Sequence, residues 1–250
     1  MQRSALNPLP RSLAARPAAE TLPTWKRTMD LALCGLALPG FALVALAVGL
    51  LMVSAAPGPL LYHQERVGRN GRRFVIHKFR TMRTDASAGD HARHVTELMR
   101  TGAPLQKLDA RGDPRLIPGG WLLRATGLDE LPQILNVLAG EMSVVGPRPC
   151  LPFEYEAYTE FQRRRFAVLP GLTGLWQVSG KNRTTFDRMI TLDLLYTRRC
   201  RPGLDLAILF RTPVALWRQL TDIRHARRTA TPPPAADFTQ PADAPGRTRP

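Results

Sequence analysis

From Leu31 to Val53 the chain runs 23 residues without a charge. At about 1.5 Å per helical residue such a run crosses a hydrocarbon core about 30 Å thick. Pro39-Gly40 falls near its middle, where a helix is expected to kink or break. Both flanks are basic: Lys26 and Arg27 precede the run, and Arg66, Arg69, Arg72, Arg73, Lys78, Arg80 and Arg83 follow it. Positive charge collects on the cytoplasmic side, so this pattern places both ends on one face. A helix bent at Pro39 that enters and leaves through the same leaflet satisfies all three facts, if protein covers the backbone groups freed at the bend. A single-span anchor is what hydropathy alone favours. A cleavable signal peptide fits less well, because the apolar run is long and a tail of about two dozen residues lies ahead of the membrane segment.

Beyond this run the periods shorten. Leu60 to Tyr62 and Phe74 to Ile76 read as strands around Gly68 to Gly71, a hairpin carrying Arg66, Arg69 and Arg72 and followed by Lys78 and Arg80. Leu131, Ile134, Leu135 and Leu138 recur at helical spacing after Thr126, which suits an N-cap, with Pro132 tolerable only in the first turn. That helix should end at Ala139-Gly140, ahead of a short buried strand from Met142 to Val145 and a rigid Gly146-Pro147-Arg148-Pro149 turn. Phe153 to Phe166 reads as an amphipathic helix ending in Arg163-Arg164-Arg165. Pro170 to Asn182 reads as a glycine-punctuated loop offering Trp176 and Lys181 to a nucleotide or sugar. Leu206 to Leu220 has an apolar face but carries Arg211 and Arg218, and suits the headgroup plane.

Composition bounds the partners. Lysine plus arginine, 35, exceed aspartate plus glutamate, 20, by 15, which points to anions: nucleic acid, anionic lipid headgroups or phosphorylated substrates. No nucleic-acid motif supports the first. Cys34, Cys150 and Cys200 are far apart and fit neither a disulfide framework nor a zinc site. His91 and His94 form an HxxH pair with no third ligand nearby and receive no role. No GxxxxGK[ST] or GxGxxG occurs, against a P-loop NTPase and a dinucleotide enzyme. The chemistry gathers between Asp113 and Pro149. There the acidic pair Asp129-Glu130 stands at an expected helix start, where outward N–H groups favour a phosphate once Arg124, Arg148 or a divalent cation offsets the repulsion.

The strings KFRTM (Lys78 to Met82), DPR (Asp113 to Arg115), LDELPQILNVLAGEMSVVGPRP (Leu128 to Pro149) and PGLTGLWQVSGKN (Pro170 to Asn182) resemble the small monotopic bacterial phosphoglycosyl transferases, in order and spacing from about Trp25 to Leu220. The resemblance implies a mixed α/β, irregular, helix-rich fold: a re-entrant membrane helix joined to a compact cytosolic catalytic domain seated on interfacial amphipathic helices. It divides the chain into a basic tail (1–24), the membrane helix (25–56), the catalytic domain (57–222) and a proline-rich tail (223–250), both tails lacking the composition of a packed core. It implies transfer of a sugar-1-phosphate from a UDP-sugar to undecaprenyl phosphate at the cytoplasmic face of the bacterial inner membrane, the opening step of exopolysaccharide, capsule or O-antigen synthesis. Asp129 would be nucleophile and Mg²⁺ ligand and Glu130 general base or positioning group. Lys78, Arg80, Arg124, Arg148 and Lys181 would bind phosphate or substrate. The resemblance leaves a homodimer open, and Asp193 and Asp205 as either active-site acids or partners of arginines. Its WQVSG-like string hints at a hexose. This sequence departs from the family at Gly127 (commonly serine), Ile117 (commonly threonine) and Lys181 (commonly arginine), the last losing a planar fork. A catalytically silent membrane scaffold for polysaccharide assembly is the alternative, and has little need of the acidic pair.

Overall fold

A computed structural model describes residues 23–83, 89–105 and 115–229. The expected tails, apart from Pro23-Thr24 and 223–229, and Asp113-Pro114 of the DPR string lie outside them.

The apolar run forms α1 (Thr24–Ala55), 32 residues assigned as helix straight through Pro39. Proline removes one backbone donor, a loss that a helix of this length absorbs without ending. By length and composition α1 is the one helix among the described residues able to cross a membrane. Its two ends pack against the same domain, while residues 35–40 are all exposed. At the first end Lys26 and Asp30 are buried; at the other Val48 and Met52 pack on Phe79, Ile117 and Leu123. Leu36, Leu43, Leu46, Leu50 and Val53 face outward.

The basic flank ahead of the apolar run lies in the first turn of α1 and is held by the domain. Lys26 Nζ donates to Val145 O at 2.6 Å and Tyr196 Oη at 3.0 Å, and pairs with buried Asp205. Arg27 donates to Val137 O at 2.6 Å and Leu138 O at 2.8 Å. A charge taken from water needs such partners. Behind α1, Arg80 closes the exit turn by donating to Ala56 O, Pro57 O and Pro59 O at 2.5, 3.2 and 2.8 Å.

The hairpin forms as expected: β1 (Leu61–Val67) and β2 (Arg73–Phe79) pair antiparallel, Leu61 opposite Phe79 and Val67 opposite Arg73, around Asn70 and Gly71 in the left-handed region. His91 and His94 lie in α2 (Gly89–Thr101), their side chains outside the described residues. After α3 (Gly120–Thr126) the chain makes a 3₁₀ turn, Leu128–Gln133, and then α4 (Ile134–Ala139). Here two expectations fail. Thr126 ends α3, its hydroxyl donating back to Leu122 O at 2.7 Å, and caps nothing ahead of it. The 3₁₀ turn resets the helical phase, so Ile134 and Val137 are the buried apolar positions while Leu135 is exposed. Pro132 falls inside the 3₁₀ turn.

Short β3 (Ser143–Val145) pairs parallel with β4 (Gly171–Thr173). The stretch expected as one amphipathic helix breaks into α5 (Pro152–Ala157), α6 (Glu160–Arg163) and a 3₁₀ turn, Arg164–Ala167. Tyr158 is extended, and Thr159 caps α6 with Gln162 in a reciprocal box. Helix α7 (Leu175–Val178) turns Trp176 into the core, not toward a ligand. Its neighbours there include Tyr158, Phe166 and Phe186 and, from α8 (Phe186–Arg199) and α9 (Pro202–Thr229), Tyr196 and Ile208. Helix α9 runs past residue 222, where the proline-rich tail was expected to begin. On its outer face Leu206, Phe210, Val214 and Trp217 are exposed about a helical turn apart.

Candidate active site

Gly127, at φ +76°, ends α3 and turns the chain into the 3₁₀ segment that carries Asp129 and Glu130. A left-handed residue is cheapest as glycine, which accounts for glycine where the resemblance led us to expect serine. The dyad lies in the first turn of a 3₁₀ segment and not of an α-helix, and side-chain cations, Arg148 among them as expected, stand beside it. Lys78, on β2, donates to Glu130 Oε1 at 2.7 Å, and Arg148 Nη1 stands 3.5 Å from the same oxygen. Asp129 is 6% exposed. It is close enough that its charge acts on Lys78.

A narrow cleft opens over Glu130, walled by Lys78, Arg148, Arg66, Gln133 and Gln177. Arg66 and Gln177 were missed by sequence reasoning. The strand register offered a signal for the first: Tyr62, Gln64 and Arg66 pair with Lys78, Ile76 and Phe74, so Arg66 shares the face of Lys78. Burial, then the Arg148 charge, pushes the Arg66 guanidinium down to about 10. Arg66 Nε and Gln177 Oε1 are buried without a hydrogen-bond partner, an arrangement that a polar ligand would relieve.

Arg148 is set by a tight backbone crossing. Gly146 N donates to Thr173 O and Gly171 N to Pro147 O, both at 2.8 Å. A Cβ on Gly171 would stand 2.0 Å from Gly146 N. Below the crossing, fully buried Arg165 donates to Arg148 O at 2.9 Å and pairs with Asp193 at 2.5 Å. Asp193 is thus an arginine's partner, and Asp205 a lysine's. Burial pushes the Asp193 carboxyl up to about 6 despite its guanidinium neighbour.

The remaining expected residues are not among those that wall the cleft. Arg80 is spent on the exit turn of α1. Arg124 lies in the last turn of α3, where its carbonyl and that of Ala125 accept from Gln219 of α9, each at 3.3 Å. Lys181 sits on a 3₁₀ turn, Lys181–Arg183, beyond α7. Neither lines the cleft.

Residues 21–219 match the family model described as bacterial sugar transferase. The chain belongs to that family. Within it, the chain is 41% identical over 190 residues to the galactosyl transferase CpsE of Streptococcus agalactiae, covering 75% of this chain and 41% of the relative. It is 39% identical over 193 residues to the UDP-galactose-lipid carrier transferase of Erwinia amylovora, covering 75% and 39%. The chain thus spans about two fifths of the length of these two curated relatives. It is also 36% identical to the exopolysaccharide production protein ExoY of Rhizobium meliloti over 189 residues, covering 75% of this chain and 83% of ExoY. The family match takes in α1 as well as the dyad, the cleft and most of α9.

Proposed function

We propose that this chain transfers a sugar-1-phosphate from a UDP-sugar to undecaprenyl phosphate, yielding the polyprenyl diphosphate sugar and UMP. The observation that carries the reading is the buried Asp129 beside Glu130, with Lys78, Arg148 and Arg66 gathered on one side. Three cations against two carboxylates favour a diphosphate, and the orphaned Gln177 Oε1 suits a sugar or ribose hydroxyl. Relatives named for galactose or glucose transfer favour a hexose.

On this reading Asp129 attacks the sugar-linked phosphorus. The bond to UMP breaks, and the sugar phosphate stays on the carboxylate as an acyl phosphate. Arg148 and Arg66 hold the departing phosphate, and Lys78 keeps Glu130 oriented. Glu130 then positions the polyprenyl phosphate, whose oxygen takes the sugar phosphate and frees Asp129. Adjacent carboxylates beside a phosphate are hard oxygen donors of the kind Mg²⁺ takes, so Asp129 and Glu130 fit that ion. When bound, it neutralises charge between the nucleophile and the diphosphate.

Helix α1 supports a seat on the membrane. A helix whose two ends pack on one domain, with residues 35–40 exposed between them, suits entry and exit through one leaflet. The exposed stripe of α9 would lie in the headgroup plane, among anionic lipids, on the cytoplasmic side where the UDP-sugar is found. The measurement is UMP release by detergent-solubilised protein given undecaprenyl phosphate, Mg²⁺ and separate UDP-sugars. Release with one donor, abolished in Asp129→Asn, is expected. A folded, membrane-bound protein that releases UMP from none of them is a scaffold, and the assignment of Asp129 falls.

A further inference from the structure

On the face of the hairpin away from Lys78, His63 and His77 stand directly opposite each other across the ladder. Their Nδ1 atoms are 2.9 Å apart, with the rings at 88°. Where one Nδ1 donates the other must accept, so at least one ring presents a lone pair there. His63 is exposed and His77 half-buried, and the contact between the rings is open to solvent.

We propose that His63 and His77 form a bidentate site for a late first-row transition-metal ion, Cu²⁺ or Ni²⁺ in preference to Zn²⁺. The bite decides the preference. With metal–nitrogen bonds of about 2.0–2.1 Å, nitrogens this far apart subtend about 90° at the metal, whereas a tetrahedral centre needs them about 3.3 Å apart. Right-angled cis positions belong to square-planar and tetragonal centres, and Cu²⁺ heads the affinity order for nitrogen donors. Chelation needs both Nδ1 lone pairs, so the proton between the rings moves and each imidazole carries its hydrogen on Nε2.

The backbone under the pair is already held. His77 N donates to Asn136 Oδ1 at 3.2 Å, and Asn136 Nδ2 donates in turn to Val75 O and Glu141, both at 2.7 Å. Glu65 lies two residues along on the same face as His63, its carboxylate held by one loose contact to Arg73 at 3.4 Å, and can supply an oxygen beside water. Imidazole donors separate this site from the carboxylates on the 3₁₀ turn, which suit Mg²⁺.

The test uses the full chain in detergent, with His91→Gln, His94→Gln and His225→Gln removing the other histidines. Cu²⁺ alone is titrated in a buffer free of chelators. One ion per chain is expected, with two equivalent nitrogens in the electron paramagnetic resonance spectrum, and both His63→Gln and His77→Gln should weaken binding by about tenfold or more. Ni²⁺ should raise the melting temperature of the parent and of neither variant. Because the contact between the rings is open to solvent, the variants should melt with the parent when no metal is added, which separates lost ligation from lost fold. Equal Cu²⁺ affinity in the parent and both variants, or a spectrum with a single nitrogen donor, overturns the proposal. Tighter binding of Zn²⁺ than of Cu²⁺ overturns the bite argument on which it rests.

Discussion

Burial holds the Lys78 ammonium below its ordinary range; Glu130 and Asp129 pull the other way, and Arg148 and Arg66 add to the depression. A lysine so placed loses its charge at a lower pH than a free one, so the alkaline limb of UMP release should fall below the usual lysine range. Lys78→Arg keeps its charge beyond that range and should move the limb to higher pH at reduced kcat/KM; an unmoved limb would assign it to another group. Lys78→Met should lower kcat/KM by about a hundredfold, the usual loss for one charge-stabilising donor. Glu130→Gln should cost a similar factor, within the range of a lost general base, measured by the same release. Single residues were where sequence reading was most uneven. The acidic pair stood out as an unusual string, but Arg80 and Arg148 look alike in sequence. What separates them is three carbonyls at the end of α1, brought near Arg80 by the fold alone.

At the scale of elements, hydrophobic period found the hairpin, β3 and α1, whose patterns are local. It failed where short elements change phase. The 3₁₀ turn before α4 and the break at Tyr158 leave the apolar spacing almost intact while rotating what is buried. Thr159 and Gln162 did signal the second, as a capping box inside an otherwise helical pattern. The parallel pairing of β3 with β4 could not be read at all, because a strand's own pattern does not name a distant partner and Gly171–Thr173 carries no period. Its glycines show why the pairing is exacting: Gly171 has no room for a side chain beside Gly146 N. Gly171→Ala should destabilise by about 3 kcal/mol, at the upper end of overpacking, because backbone and not a flexible side chain must move. Its melting curve and its UMP release should fall together, since Arg148 hangs from the same crossing.

For the whole molecule, the link between anchor and domain is a buried cluster of Lys26, Tyr196 and Asp205. Lys26→Met strands the Asp205 carboxylate and should destabilise by about 3–5 kcal/mol, whereas Lys26→Met with Asp205→Asn should recover much of that loss in denaturant melts. Phe210→Glu with Trp217→Glu should leave melting unchanged in detergent and reduce retention on vesicles of anionic lipid, if the α9 stripe meets the membrane. The sequence separation within the cluster has a consequence for biosynthesis. Lys26 waits for a partner made 179 residues later. At about 5–20 residues per second the ribosome leaves α1 without that partner for roughly 10–35 s. The helix therefore has ample time to find a bilayer before there is any domain to hold it, so membrane association can precede assembly of the domain on α1.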